Sequence, residues 1–488
     1  MPGSFIPSAA ELFRFSPELL LCAMGTILMV LEAITSPRQK PLLPAITVAT
    51  FLVAIVLAVA GASDPGPAFN GMLQFDGFAT FFRVLVLAIG AVTVLLSTNY
   101  LKLADHQGGE FYVLVIFSVV GQCLMASANE LMMIFIGIEV SSIATYVLAG
   151  YLRDDKRNNE AALKYFLLGS FATAFLLYGV AWTYGTAGST NFAVIRSALL
   201  DTQNPPNALL IGAAIALIFT GLFFKVSAAP FQAWAPDVYQ GAPAPVTAFM
   251  STGPKAAAFA AFLRIAMSAF EPAKERWIPV VLISAVATMV AGNFAALRQH
   301  NIKRLLAYSA IAHAGYVLVA LTAASPTGTS AAMFYMVSYA AMNLGAFAVV
   351  IHIARKGETR VDIADLAGLG QRQPLTAALM TVFLLSLIGV PLTGGFFAKF
   401  YVFKAALDSK LIGLTIFGLL NSAVAAYYYL RIIVAMYMQP ALEGEAELSP
   451  PALGLRVTML VACAATLVLG IFPSLVLDIA GRSANFLR

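Results

Sequence analysis

Six ionisable side chains stand inside stretches that are otherwise apolar: Glu139, Lys164, Lys225, Lys255, His313 and Lys399. An ammonium at the centre of a bilayer costs about 2.5–3.5 kcal/mol on insertion scales, so side chains kept there mark ion or proton paths. Lysine suits such a path, because burial disfavours its charged form and a nearby carboxylate favours it. Glu139 beside Lys225 would form a pair whose protonation answers to a third charge, Lys164 or Lys255. Bringing a positive charge close releases a proton from Lys225; removing it lets the lysine reload. The scale is adequate. Two charges about 4 Å apart interact by about 4 kcal/mol at an effective dielectric of 20. Moving one charge across 100 mV takes about 2.3 kcal/mol.

Each residue also has a plainer reading. Glu139 and Lys225 could be a static ion pair joining two helices. Lys164 could snorkel, Lys255 could cap a broken helix, and His313 could be a neutral histidine bonded to backbone. Arg83, Arg264, Arg431 and Asp478 lie nearer span ends and read as structural, and the run Tyr427, Tyr428, Tyr429 reads as packing or interface.

These residues are positioned by a membrane protein. The chain of 488 residues is 60% hydrophobic and 11% charged, against roughly 25% charged in soluble domains. Its apolar runs have helix length rather than the roughly 10-residue alternation of barrels. The excess of basic residues is therefore a matter of loop orientation and not a nucleic-acid signal. Cys22, Cys123 and Cys463 stand singly and the four histidines are scattered, so no zinc, haem or iron–sulfur site is read. No glycine-rich nucleotide loop is present. Redox cofactors are expected in partner chains and none in this one.

At roughly 20 residues per span, fourteen helices are predicted: 17–35, 42–61, 78–101, 111–128, 130–151, 160–184, 208–229, 243–268, 277–298, 301–323, 328–354, 374–403, 411–438 and 456–479. Prolines break two of them. The seventh continues past Pro230 as a short piece to about Gln240, and the twelfth is interrupted at 389–391 before resuming through Lys399. Broken backbone at membrane depth is tolerated only in protein or beside a wet cavity. Odd-numbered loops hold thirteen Lys and Arg and even-numbered loops five, which places both termini outside the cytoplasm.

The order of helices contains a repeat. Helices four to eight and nine to thirteen are two units of five, and an odd count inverts the second. The organisation read from this is three N-terminal helices (1–110), a first repeat (111–268), an inverted second repeat (277–440) and a C-terminal helix (441–488). An offset of 174 residues carries Lys225 onto Lys399, Gly221 onto Gly395 and Glu139 onto His313.

The runs FFKVSAAPFQAWAPDVYQGAP (223–243), RLLAYSAIAHAGY (304–316), MNLGAFAVV (342–350) and GVPLTGGFFAKFYVF (389–403) resemble the antiporter-like membrane subunits of respiratory complex I, the proton-pumping NADH:quinone oxidoreductase. Within them the chain is most similar to the N-type branch, whose twelfth-helix position is lysine, as at Lys399, and which lacks a long lateral helix. Pro391-Leu392 departs from relatives that have two prolines there. The resemblance covers the whole chain. It implies an all-α fold of about fourteen spans with two inverted five-helix repeats. It implies one proton channel through Glu139, Lys225, Lys255 and Lys399, with His313 on the central axis. It further implies other membrane subunits as partners, flavin and iron–sulfur clusters in those partners, quinone reduced elsewhere in the complex, and a bacterial inner membrane. A related expectation is an Mrp-type cation/proton antiporter subunit.

Overall fold

The computed structural model describes residues 6–34, 40, 42–106, 108–354, 356–441 and 449–484. Twelve helices among the described residues are long and apolar enough to cross a membrane. After a short α1 (Ala9–Arg14) come α2 (Ser16–Ile34), α3 (Leu42–Gly61), α4 (Gly77–Leu103), α5 (Glu110–Ser127), α6 (Leu131–Ala149) and α7 (Lys156–Ala187). A surface helix α8 (Phe192–Leu200) leads to α9 (Ala208–Val226), the short α10 (Trp234–Gly241) and α11 (Ala244–Arg264). Then follow α12 (Lys274–Ala296), α13 (Ile302–Thr322), α14 (Pro326–Ala354), the single turn α15 (Leu369–Arg372), α16 (Pro374–Ile388), α17 (Gly394–Asp408), α18 (Ile412–Met438), α19 (Leu453–Ile471) and α20 (Ser474–Ser483).

All fourteen predicted ranges are helical over most of their length, with differences that have local causes. The eighth is α11, which is buried along its whole length and too rich in alanine, serine and threonine to stand out as apolar. The twelfth is two half-helices, α16 and α17. The seventh stops at Val226, because Ser227 takes a left-handed backbone (φ 60°) and closes the helix three residues before Pro230. The last predicted span ends at Ile471, and Pro473 starts a separate helix, α20. The fold is also not purely helical: Gly66–Ala68 and Leu73–Phe75 pair as a small antiparallel hairpin. Its strands are three residues long, too short for any alternation to register.

The hydrophobicity is arranged as a bilayer requires. Leu167, Phe171, Ile283, Leu420 and Val461 are exposed on outer faces, while α11, α13 and α14 form the inner layer. Near the chain start, a buried Glu18 accepts two hydrogen bonds from Arg83, at 2.8 and 2.6 Å. Arg264 grips Asp76, the N-cap of α4, through two bonds of 2.8 Å. These pairs tie span ends together, since breaking a buried pair leaves a charge uncompensated. At the start of α7, hydrogen bonds from Arg157 hold the Asp155 carboxyl below its usual range, so the capping side chain stays ionised at neutral pH.

Candidate functional site

Lys225 occupies the last turn of α9. The backbone there presents the negative end of the helix dipole, which favours a cation. Its Nζ donates to the Ser142 hydroxyl at 2.7 Å and to the Tyr165 hydroxyl at 3.4 Å, and it lies 5.6 Å from the centre of the Tyr165 ring. Glu139 is one turn before Ser142 on α6. Its Oε1 is buried without a partner, and no ion pair joins it to Lys225 among the described residues. The predicted Glu139–Lys225 ion pair is thus not formed in this structure. Ser142 holds the lysine, and its own hydroxyl turns back onto the Ile138 carbonyl.

Lys399 lies past its break, on α17, where it is 6% exposed. It reaches back to the end of α16, donating to the carbonyls of Leu387 at 3.1 Å and Ile388 at 2.8 Å and to the Ser422 hydroxyl at 2.7 Å. The Tyr316 ring lies 5.0 Å away. The break itself uses left-handed backbone at Gly389 (φ 94°) and at Leu392 (φ 69°). Gly395 must be glycine, because a Cβ there would stand 1.8 Å from the Ser386 carbonyl oxygen. The offset of 174 residues aligns the lysines and not the breaks. Lys225 precedes its break and Lys399 follows its own, so what the two share is a position at the carbonyl end of a half-helix.

Between them, Lys255 (2% exposed) donates to the Ala310 carbonyl of α13 at 2.9 Å. This is no cap of the broken helix. His313, one turn further along α13, bonds the Tyr335 hydroxyl through Nδ1 at 2.7 Å and the Tyr429 hydroxyl through Nε2 at 3.3 Å. Its partners are side chains and not backbone. Tyr429 also bonds Ser309. The neighbouring Tyr428 donates to Asn293 at 3.0 Å, and Asn293 donates to the Tyr316 hydroxyl at 3.4 Å. A polar line therefore runs from His313 through the tyrosines and Asn293 toward Lys399, and Lys255 meets the same helix one turn earlier, at the Ala310 carbonyl. The tyrosine run is part of this line, contrary to its reading as mere packing. Only its outer member, Tyr427, is exposed.

Lys164 is the residue the structure moves furthest from expectation. Its side chain is 41% exposed, and it pairs with Asp237 and Glu160 at 2.8 Å each. It lies little more than two turns into α7, too near the helix end to be sunk in hydrocarbon. Conversely, Lys303 reads as a loop charge and is buried. It pairs with Glu358 at 2.5 Å. That carboxylate also accepts from Tyr100 at 2.7 Å and from the first backbone N–H of α11, at Ala244, at 2.7 Å. Sequence gave no signal for Glu358, since its partners come from three distant segments. Asp237 lies inside a motif whose prolines and lysines draw attention away from it.

The family described as NADH:quinone oxidoreductase/Mrp antiporter, transmembrane, matches residues 128–425, the stretch that carries all six residues. The chain belongs to this family. It is 57% identical over the full length of both chains to NADH-quinone oxidoreductase subunit N 1 of Solibacter usitatus. Its fold is similar to a chain of respiratory complex I from Thermus thermophilus with bound aureothin, with TM-score 0.81 and 35% identity over 95% of this chain and 99% of that one. A chain of the Mrp complex from Dietzia is similar in fold, with TM-score 0.83 at 21% identity over 97% of each chain. Membership accords with the many membrane-spanning helices among the described residues; the roles of individual residues rest on the geometry above.

Proposed function

We propose that this chain is a proton-translocating membrane subunit of an NADH:quinone oxidoreductase, the N-type antiporter-like subunit, set in a bacterial inner membrane with both termini on the periplasmic side. It carries protons and no electrons. Flavin and iron–sulfur clusters, and the quinone, belong to partner subunits of the complex, and quinone reduction there drives the charge movements here. The two inverted five-helix halves supply one lysine each, Lys225 and Lys399, and Lys255 connects them.

One observation carries the reading. The three lysines are nearly or fully shielded from solvent, and each is held by neutral hydroxyls or carbonyls rather than by a carboxylate. A permanently paired lysine would be structural glue. One held by neutral groups can lose and regain a proton without breaking an ion pair, because hydroxyls and carbonyls solvate the charge without neutralising it. The hydroxyl and imidazole groups between Lys255 and Lys399 can both donate and accept, as a proton relay requires. No side-chain hydrogen bond bridges Lys225 and Lys255 among the described residues. Buried polar atoms without protein partners lie on the helices packed around α11: Gln122 Oε1 on α5 and Asn343 Oδ1 on α14. Such atoms ask for water, and we assign the step between the two lysines to it.

The test is proton uptake per electron in vesicles carrying the whole complex. Lys225→Ala in an assembled complex is expected to lose pumping; wild-type stoichiometry in that variant overturns the reading. The second reading, an Mrp-type cation/proton antiporter subunit, is favoured by the fold similarity to the Dietzia complex. Co-purification separates the two. Flavin- and iron–sulfur-bearing chains support the first, and a set of antiporter subunits without them supports the second.

A further inference from the structure

Lys164 and Tyr165 are consecutive on α7 and face different ways. Tyr165 turns inward and touches Lys225. Lys164 turns to a cavity of about 240 Å³ lined by Arg157, Glu160, Asp237, Arg304 and Glu358. The short helix α10 meets both. Trp234 and Asp237 are three residues apart and so share one helix face. Trp234 stacks on Tyr165 with ring centres 4.6 Å apart and planes 7° apart, and its indole N–H donates to the Phe224 carbonyl, next to Lys225, at 3.1 Å. Asp237 Oδ2 accepts from Lys164 at 2.8 Å.

The other oxygen of Asp237 faces the second half of the molecule. Oδ1 accepts from Arg304 at 2.7 Å, in the first turn of α13, the helix that takes Lys255 on Ala310 and carries His313. One carboxylate is therefore shared by a cation from each half. With Glu160 the set holds two positive and two negative charges. Arg304 keeps its charge at every accessible pH, and Lys164 has the flexible stem and the exposure to move. Whatever draws Asp237 toward Arg304 leaves Lys164 less compensated on the outer side of Tyr165, whose hydroxyl meets Lys225, and whatever returns it restores the balance.

We propose that Asp237 is a positioning residue for proton transfer. Its carboxylate is divided between Lys164 and Arg304, and this division sets how much positive charge Lys225 meets, which couples the two halves. The proposal rests on the reading of Lys225 as a proton carrier.

The experiment uses the complete complex in proteoliposomes, with flavin content as the measure of assembly and protons per electron as the readout. Asp237→Asn is expected to lower that ratio about five- to tenfold, the scale of a typical site-to-site coupling, and Asp237→Glu to restore most of it. Because the effect travels through Lys164, Lys164→Met combined with Asp237→Asn is expected to fall no lower than the worse single variant. A wild-type ratio in Asp237→Asn, losses that multiply in the double variant, or an Asp237→Glu no better than Asp237→Asn overturns the proposal. If Asp237→Asn does not assemble, Arg304→Gln carries the test. It should change the ratio in the wild-type background and not in Lys164→Met, and a change that persists there overturns it. Lys225→Ala with an unaltered ratio removes the underlying reading. A loss in Lys225→Ala beside an unaltered Asp237→Asn removes this proposal alone.

Discussion

The two broken helices place a lysine at the carbonyl end of a half-helix, and they do so in opposite ways. Lys225 belongs to the half-helix whose end it occupies. It holds two hydroxyls, with the unpartnered carboxylate of Glu139 one turn from Ser142. Lys399 belongs to the following half-helix and reaches back to two free carbonyls and one hydroxyl. The first site has a Glu139 carboxylate oxygen left without a partner one turn from Ser142, and a cluster of compensated charges on its outer side. The second has only fixed dipoles. Fixed dipoles stabilise a cation without reorganising, whereas a carboxylate that can approach or withdraw makes proton affinity adjustable. The first site is built to be switched and the second to hold.

Breaking that contrast begins with the lysine. Lys225→Ala is expected to lower proton translocation per electron by about a hundredfold, the lower end for loss of a positioned proton-transfer group; vesicle pumping at matched electron flux measures it. Next comes the shape of the breaks. Gly395→Ala forces a Cβ against the Ser386 carbonyl, while Gly221→Ala meets first the Cβ of Leu176 at 2.6 Å. Both should weaken the fold, and Gly395→Ala more, because a backbone carbonyl at a helix end has less room to give than a side chain. The yield of intact complex on native gels decides the order. Glu139→Gln keeps the shape at the first site and removes the carboxylate on the helix that holds Lys225, so pumping should fall severalfold, short of the loss in Lys225→Ala. An unchanged ratio would mean the first site is as fixed as the second. The smallest effects separate the hydroxyls. Ser142→Ala removes the shortest bond to Lys225 and Ser422→Ala one of three to Lys399. A hydrogen bond to a charged group is worth about 1.5–3 kcal/mol, and the two remaining carbonyls should absorb the loss at Lys399. Pumping across a pH series should therefore change more for Ser142→Ala.

Much of the fold was legible because hydrocarbon is a severe solvent. Backbone in it must be helical, and spans must run about 20 residues, so α2 to α7, α9, α12 to α14, α18 and α19 stand out as apolar runs. The eighth span was found from its lysine and prolines more than from its hydropathy. The hairpin Gly66–Ala68/Leu73–Phe75 was not found, because three-residue strands leave no periodic trace. Among site residues, Lys225, Lys255, His313 and Lys399 are visible as polar groups in apolar surroundings. Asp237, Glu358 and Tyr429 are not. Aspartate in a short helix, glutamate in a loop and tyrosine in a span are each unremarkable until a neighbour from elsewhere arrives.

The amino-acid order by itself determined that the chain spans a membrane many times, that helices seven and twelve break, and that ionisable groups lie at depth. Each is a local property of about one span, paid for in solvation. Only the tertiary structure decided which groups meet. It set Ser142 rather than Glu139 on Lys225, drew Lys164 out to Asp237, and brought Lys399 back onto the end of α16. Those pairings depend on how helices far apart in sequence are rotated and how deeply each sits. Differences of one helical turn decide them, and no local pattern records such a difference.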